Sequence, residues 1–186
     1  HEKYNPSFRD RSYWRRFDPN YADETFVLYV GRVAKEKNLD IFLEAYDRLS
    51  ERNDVKFAIV GDGPYCEEIK ARYGENIIFT GYQEGENLSK AYASADIFFF
   101  PSQTETFGNV VLEAQACGLP CLISSAGATK ENINPNATGF IVGDNSADTY
   151  AGHLNSLLDN PQTLSLMRQN CIDFTQEFKE RELLLA

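Results

Sequence analysis

Histidine is scarce: two occur in 186 residues, one of them at the first position. Cys66, Cys117, Cys121 and Cys171 show no CxxC spacing, so the usual zinc sets cannot be assembled and reduced, buried thiols are expected. No Asp-x-Asp pair is present to hold a divalent metal on a diphosphate, and no metal site is expected. Positive charge is also short, with 18 Lys and Arg against 28 Asp and Glu, a net charge of -10. Nucleic acid and anionic membrane surfaces both require a basic face, so neither is an expected partner of this chain. No stretch of 18 apolar residues occurs and no signal peptide opens the sequence, so neither a helical membrane span nor a secretory leader is expected here. A cytoplasmic protein is expected. The only methionine is Met167 and the chain opens at His1, so a piece of a longer protein is expected.

What is plentiful is apolar bulk. Hydrophobic residues make up 42% of the chain, including ten tyrosines and thirteen phenylalanines, enough to fill one core. A single domain over residues 1–186 follows. Phe26 to Val30, Val55 to Val60, Ile77 to Thr80, Ile97 to Phe100, Cys121 to Ser124 and Gly139 to Val142 read as strands. Between them, Asn38 to Glu51 places Leu39, Phe42, Leu43, Tyr46 and Leu49 on one face of a helix, and Pro64 to about Arg72, Glu86 to Ala93 and Val110 to Cys117 are further helices. The tail from Ala147 to about Phe178 reads as two helices broken at Asn160-Pro161. Strands alternating with helices imply an α/β, Rossmann-like, doubly wound parallel sheet covered on both faces.

Ligands of such sheets bind beyond the carboxyl ends of the strands. Four loops end there: Gly31-Arg32, Gly61-Asp-Gly63, Gly81-Tyr82, and Ser102 to Gly108. In the last, a buried strand delivers a loop onto a helix N-terminus at Gly108 and Asn109, whose free amides and dipole suit a phosphate group. Glu113, four residues after Asn109, points to the same side. A carboxylate there would repel phosphate unless it faced hydroxyl groups, and a sugar nucleotide offers both. Arg32 and Lys37, five residues apart after the first strand, add a planar fork and a mobile point charge for phosphate oxygens. Lys35, Glu36 and Lys37 also fit an ordinary solvated charge run, and Glu113 in a first turn gains about 0.3–1 kcal/mol from the helix dipole without any ligand.

The segment Pro101-Ser-Gln-Thr-Glu-Thr-Phe-Gly-Asn-Val-Val-Leu-Glu-Ala-Gln-Ala-Cys-Gly-Leu-Pro120 resembles the signature of the retaining glycosyltransferases of family 4, with two glutamates separated by seven residues. Gly31-Arg-Val-Ala-Lys-Glu-Lys-Asn38, Val60-Gly-Asp-Gly-Pro64, Phe79-Thr-Gly-Tyr82 and Ala93-Ser-Ala-Asp96 extend the resemblance from about Phe26 to Val142. In wording the chain is similar to GDP-mannose-dependent mannosyltransferases and sulfoquinovosyltransferases acting on lipid acceptors. The resemblance implies the C-terminal, donor-binding half of a GT-B fold, with residues 1–25 as an interdomain linker and the N-terminal, acceptor-binding domain absent. It implies a GDP- or UDP-linked sugar as substrate, no separate cofactor, and an acceptor lipid or glycan reached through the missing half. Any membrane contact would be peripheral, at the inner face, and made by that half.

Residue by residue, the resemblance assigns Arg32, Lys37 and Glu105 to catalysis. Glu105 faces the transferred sugar with the backbone around Thr106, Phe107 and Gly108. Glu113 bonds the ribose hydroxyls, Gly31, Asn109 and Val110 flank the diphosphate, and Gly81, Tyr82 and Gln83 hold the base. Tyr82 would stack on it or simply pack. Asp62 has no assigned role. The family implies retention without an established enzymic nucleophile, and a front-face reaction is adopted.

Three other readings compete with this one. A dinucleotide-dependent oxidoreductase is suggested by Gly61-x-Gly63, yet the third glycine position is Cys66 and Pro64 lacks an amide. A GT-B sugar-nucleotide epimerase would use the same crevice. A non-catalytic nucleotide-binding or interaction module would use Tyr13-Trp14-Arg15-Arg16-Phe17 as a contact patch; that segment reads better as a helix packing near the absent domain.

Overall fold

The structure, a computed structural model, describes residues 3–185, with side chains through Glu180. His1 and Glu2 of the expected segment 1–25 fall outside the described residues. Six parallel strands form one sheet in the order β3-β2-β1-β4-β5-β6. They are β1 (Thr25–Val30), β2 (Val55–Val60), β3 (Ile77–Gly81), β4 (Ile97–Phe100), β5 (Cys121–Ser124) and β6 (Gly139–Val142). The helices are α1 (Leu39–Leu49), α2 (Cys66–Tyr73), α3 (Gly85–Ser94), α4 (Asn109–Ala116), α5 (Ala147–Asp159) and α6 (Pro161–Leu185). Each expected element is present, with most ends shifted by a residue or two; Pro161 opens α6 as expected, and this helix runs on to Leu185, past the expected end near Phe178. Pro64 is an exception: it lies in the turn before α2 rather than inside it.

The central strands are apolar along their whole length because helices cover both faces. Alternation sorts their rings. Phe42 of α1 meets Tyr29, Phe57 and Phe99 at 5.2–6.1 Å between centroids, and Tyr150 of α5 tilts against Phe99 at 4.4 Å. On the opposite face Trp14 stacks on Phe26 at 4.4 Å and Tyr92 of α3 packs on Phe98 at 5.9 Å. All four cysteines are free and buried, and burial pushes the Cys117 and Cys171 thiols up to about 12, far from reactivity at neutral pH.

Tyr13 to Arg16 is a short 3-10 turn, not an α-helix, and it does not offer its rings outward. Tyr13 and Trp14 are buried in this domain's own core, and the Trp14 indole N–H donates to the Ser94 carbonyl at 2.9 Å. A contact patch built on these rings is therefore ruled out by their burial. Segment and core are further tied by Asp96, at the amino end of β4. Its carboxylate accepts from the Phe26 amide at 2.9 Å, from Arg9 at 2.9 Å and from Arg168 of α6 at 3.4 Å. Both arginines also donate to the carbonyl of Ala95.

The order in which strands are added to the sheet reverses between β1 and β4, parallel neighbours that are distant in sequence. A crevice opens at such a switch point, at the carboxyl ends of the two strands.

Candidate functional site

The crevice floor is backbone. The Gly61 amide donates to the Gly81 carbonyl at 2.9 Å and the Gly31 amide to the Val60 carbonyl at 3.0 Å, so the loops after β1, β2 and β3 are laced together. A Cβ on Gly61 would stand 1.9 Å from the Gly31 carbonyl oxygen, which restricts the position to glycine. Gly61-x-Gly63 thus serves loop packing and not a dinucleotide cradle. Asp62 closes the turn, accepting from the Gly63 amide at 2.7 Å.

Above this floor is a cavity of about 680 Å³ lined by, among others, Gly31, Arg32, Asp62, Tyr82, Gln83 and Lys3. Four of the expected residues, Gly31, Arg32, Tyr82 and Gln83, therefore share one space. The Arg32 carbonyl is anchored by the Tyr29 hydroxyl at 2.9 Å while its guanidinium stays exposed, 3.6 Å from Glu36. Gln83 donates to the Thr80 carbonyl at 3.0 Å, and the Tyr82 ring is 72% exposed. Gly81 turns the chain between β3 and this pair.

Lys37 and Glu105 meet directly across the switch point. The ammonium lies 2.5 Å from the carboxylate, both side chains are about four-fifths covered, and Ser102 donates to the same carboxylate oxygen at 3.3 Å. Thr104 stands 3.4 Å from the ammonium. Next to them Asn38 donates to the Pro101 carbonyl at 3.3 Å, fastening one loop to the other. Sequence reasoning had Lys37 on phosphate and Glu105 on sugar as separate groups; their pairing comes from the fold. Ser102 and Thr104 were missed, although hydroxyls two residues apart just before Glu105 are a readable signal.

Glu105 is also held from behind, its carbonyl accepting from the Ala128 amide at 3.2 Å. Thr106, Phe107 and Asn109 lie on the surface of the loop and Val110 is half-buried, with the Phe107 ring 77% exposed. Asn132 pins this loop by donating to the Phe107 carbonyl at 2.7 Å. Gly108, in the left-handed region at φ 63°, delivers the chain into α4, and no side chain caps the helix amides. That leaves the N-terminus of α4 open for an anion.

Glu113 lies one turn inside α4, half-buried, and accepts from the Tyr92 hydroxyl at 3.0 Å. Burial raises its carboxyl above the ordinary range, while the Tyr92 hydroxyl, the Lys3 charge and the Tyr4 hydroxyl pull it down. Neither Glu105, Glu113 nor the stretch from Thr106 to Val110 is among the residues lining the 680 Å³ cavity. Lys3, which does line it, interacts chiefly with the Tyr4 hydroxyl and also feels the Glu113 carboxylate. The site is thus a crevice with two banks: Arg32, Tyr82 and Gln83 on one, Glu105 to Glu113 on the other, with Lys37 crossing between. A larger cavity of about 820 Å³ lies at the other end of the strands, by the amino ends of β2 and β3, but Lys56 there is paired with Asp18 at 3.0 Å and Arg52 with Asp54 and Asp159. Among the described residues no group of three His, Cys, Asp or Glu side chains is placed to hold a metal ion.

An α/β sheet with a polar, cation-bearing crevice at the switch point defines a domain of the doubly wound class. Comparison with known proteins places it further. Residues 10–177 match the family described as glycosyl transferases group 1, and the chain belongs to that family. The match takes in the Trp14 turn and most of α6, beyond the span recognised by motif. Sulfoquinovosyl transferase SQD2 of Arabidopsis thaliana is 33% identical over 97% of this chain and 36% of its own length. A GDP-mannose-dependent alpha-mannosyltransferase of Corynebacterium glutamicum is 36% identical over 76% of this chain and 33% of its own. The chain spans about a third of the length of these relatives. In fold it is similar to the C-terminal domain of LpcC, a glycosyl transferase group 1 family protein of Francisella tularensis, with a TM-score of 0.82 at 23% identity, covering 95% of each chain. It is also similar to Anabaena HepE solved with UDP and glucose, with a TM-score of 0.79 at 19% identity, over 98% of this chain and 55% of that one. The fold is that of the C-terminal domain of GT-B glycosyltransferases. Among the described residues no helix is long and apolar enough to cross a membrane.

Proposed function

We propose that this domain binds a nucleotide-diphosphate sugar for metal-independent, retaining transfer of a hexosyl group to an acceptor hydroxyl. The observation that carries the reading is the Lys37–Glu105 pair spanning the switch point, beside the cavity that holds Arg32 and Tyr82. Breaking the bond between the anomeric carbon and the diphosphate builds negative charge on the phosphate oxygens. Arg32, Lys37 and the open amides of α4 are cationic or dipolar groups preorganised to stabilise it. Glu105 orients the sugar and offsets positive charge at the anomeric carbon. In a front-face reaction the acceptor oxygen bonds the anomeric carbon on the side the diphosphate leaves, and the acceptor proton passes to a departing phosphate oxygen. Glu113 grips the ribose diol, and Tyr82 and Gln83 border the base.

The donor is GDP-mannose in this reading, supported by the mannosyltransferase relatives, with a UDP-linked sugar as the alternative. The acceptor is a lipid or polysaccharide bound by an N-terminal domain, with the whole protein cytoplasmic and in peripheral contact with the inner face of the membrane. Calorimetric titration of residues 1–186 with GDP, UDP and ADP and their sugars, in the presence of EDTA, tests the donor half of this reading. Weak binding of one nucleotide series, with no glycosyl transfer, is expected. Absence of binding to all three, or robust transfer by this chain alone, would overturn it.

A further inference from the structure

Tyr92 stands apart from its surroundings. It is the one large polar side chain in the run Ala91-Tyr92-Ala93-Ser94-Ala95, it is fully buried, and its hydroxyl reaches across from α3 to Glu113 of α4. Its ring is fixed on two sides, by Phe98 at 5.9 Å and by the edge of Tyr4 at 5.6 Å and 88°. A buried phenol needs a partner, and a phenylalanine would fill the same space without that need. The bond from Tyr92 occupies Oε2 of Glu113, and a carboxylate offers about four acceptor positions, so further donors can still be bound.

We propose that Tyr92 is a positioning residue for ligand binding, its rigid hydroxyl holding the Glu113 carboxylate ionised and oriented toward a vicinal diol in the crevice. This rests on the assignment of Glu113 to the ribose hydroxyls. Half-buried and with no cation in direct contact among the described residues, Glu113 would tend to take up a proton and turn from acceptor to donor. Tyr92 opposes that from α3, Tyr4 and Lys3 oppose it from the N-terminal segment, and Cys117 on its own helix stays a neutral thiol. Lys3 is fully exposed and screened by water, which leaves the buried phenol as the principal support.

The test compares wild type, Tyr92→Phe, Glu113→Gln and the double variant. Each is titrated with UDP and GDP and with their 2′-deoxy analogues, and the Glu113 carboxyl is followed by carbon NMR against pH. Wild type is expected to prefer the ribonucleotide. Tyr92→Phe should lower that preference roughly tenfold at pH 7, as for one charge-assisted hydrogen bond. The carboxyl should titrate about one unit higher, and the double variant should be no worse than Glu113→Gln. Site-specific 3-fluorotyrosine at position 92, a stronger donor that deletes no atom, should shift the carboxyl the opposite way, and this holds the test open if the Phe variant fails to fold. An unmoved carboxyl titration in both, or undiminished diol preference in a folded Tyr92→Phe, would overturn the inference. Undiminished preference in Glu113→Gln would instead remove the diol assignment on which it rests.

Discussion

Two carboxylate clusters stand at opposite ends of β4 and use their charges differently. At the amino end, Asp96 is engaged on both oxygens: a backbone amide and two arginines donate to it, and the arginines also donate to the carbonyls of Ala93 and Ala95. At the carboxyl end, Glu105 has Lys37 and one hydroxyl, and the Lys37 ammonium has one carboxylate and one distant hydroxyl. A group whose hydrogen bonds are all met within the fold has nothing to offer a ligand. The difference teaches that saturation separates the charged residues that hold this domain together from those that can exchange partners. Ala93-Ser-Ala-Asp96 and the glutamate signature, equally prominent as motifs, fall on opposite sides of that line.

The comparison breaks first at Asp96. Asp96→Ala should lower the unfolding free energy by about 3 kcal/mol, because it strands two partly covered guanidinium groups and an amide; urea denaturation measures it. A loss no larger than that of Lys37→Met would erase the distinction. Glu105→Gln, in a protein carrying both GT-B halves, should reduce turnover about a hundredfold, the scale of losing one transition-state contact, with little change in donor affinity. Steady-state kinetics beside calorimetry separate the two, and equal losses would count against a role in sugar orientation. Lys37→Met should weaken nucleoside diphosphate binding about tenfold, or 1.4 kcal/mol, while its stability changes by less than about 1 kcal/mol, as for a peripheral ion pair. The smallest effect belongs to Glu113. Its folded-state carboxyl titrates above the ordinary value, so the folded chain binds more protons than the unfolded one between those two values, and stability falls as pH rises through that window. Glu113→Gln should therefore be slightly more stable than wild type at pH 7 and equal to it at pH 4, by thermal melts at both.

Much of the scaffold was legible because parallel strands buried on both faces are simply runs of apolar residues, and Ile97 to Phe100 or Cys121 to Ser124 admit few other readings. The convergence of four loops followed from topology alone. What stayed hidden was contact across elements distant in sequence. Nothing local says that Lys37 meets Glu105, 68 positions away, or that Tyr92 turns its hydroxyl to Glu113. The Tyr13 to Phe17 segment was hard to read for a related reason: the pattern alone does not say that Tyr13 and Trp14 go into this domain's own core while Arg15 and Arg16 stay in water. Nor does anything local say that Asp96 gathers two arginines from distant parts of the chain.

Because main chain meets main chain between Gly31, Gly61 and Gly81, this part of the molecule contains almost nothing that replacement of a side chain could retune. Selectivity, natural or engineered, has to be written at the margin instead, where Tyr82 and Phe107 project freely on either bank. On the proposed reading, a combinatorial library confined to positions 82, 83 and 107 would change ligand preference while leaving the fold intact, whereas any side chain at Gly61 would collide with the Gly31 carbonyl.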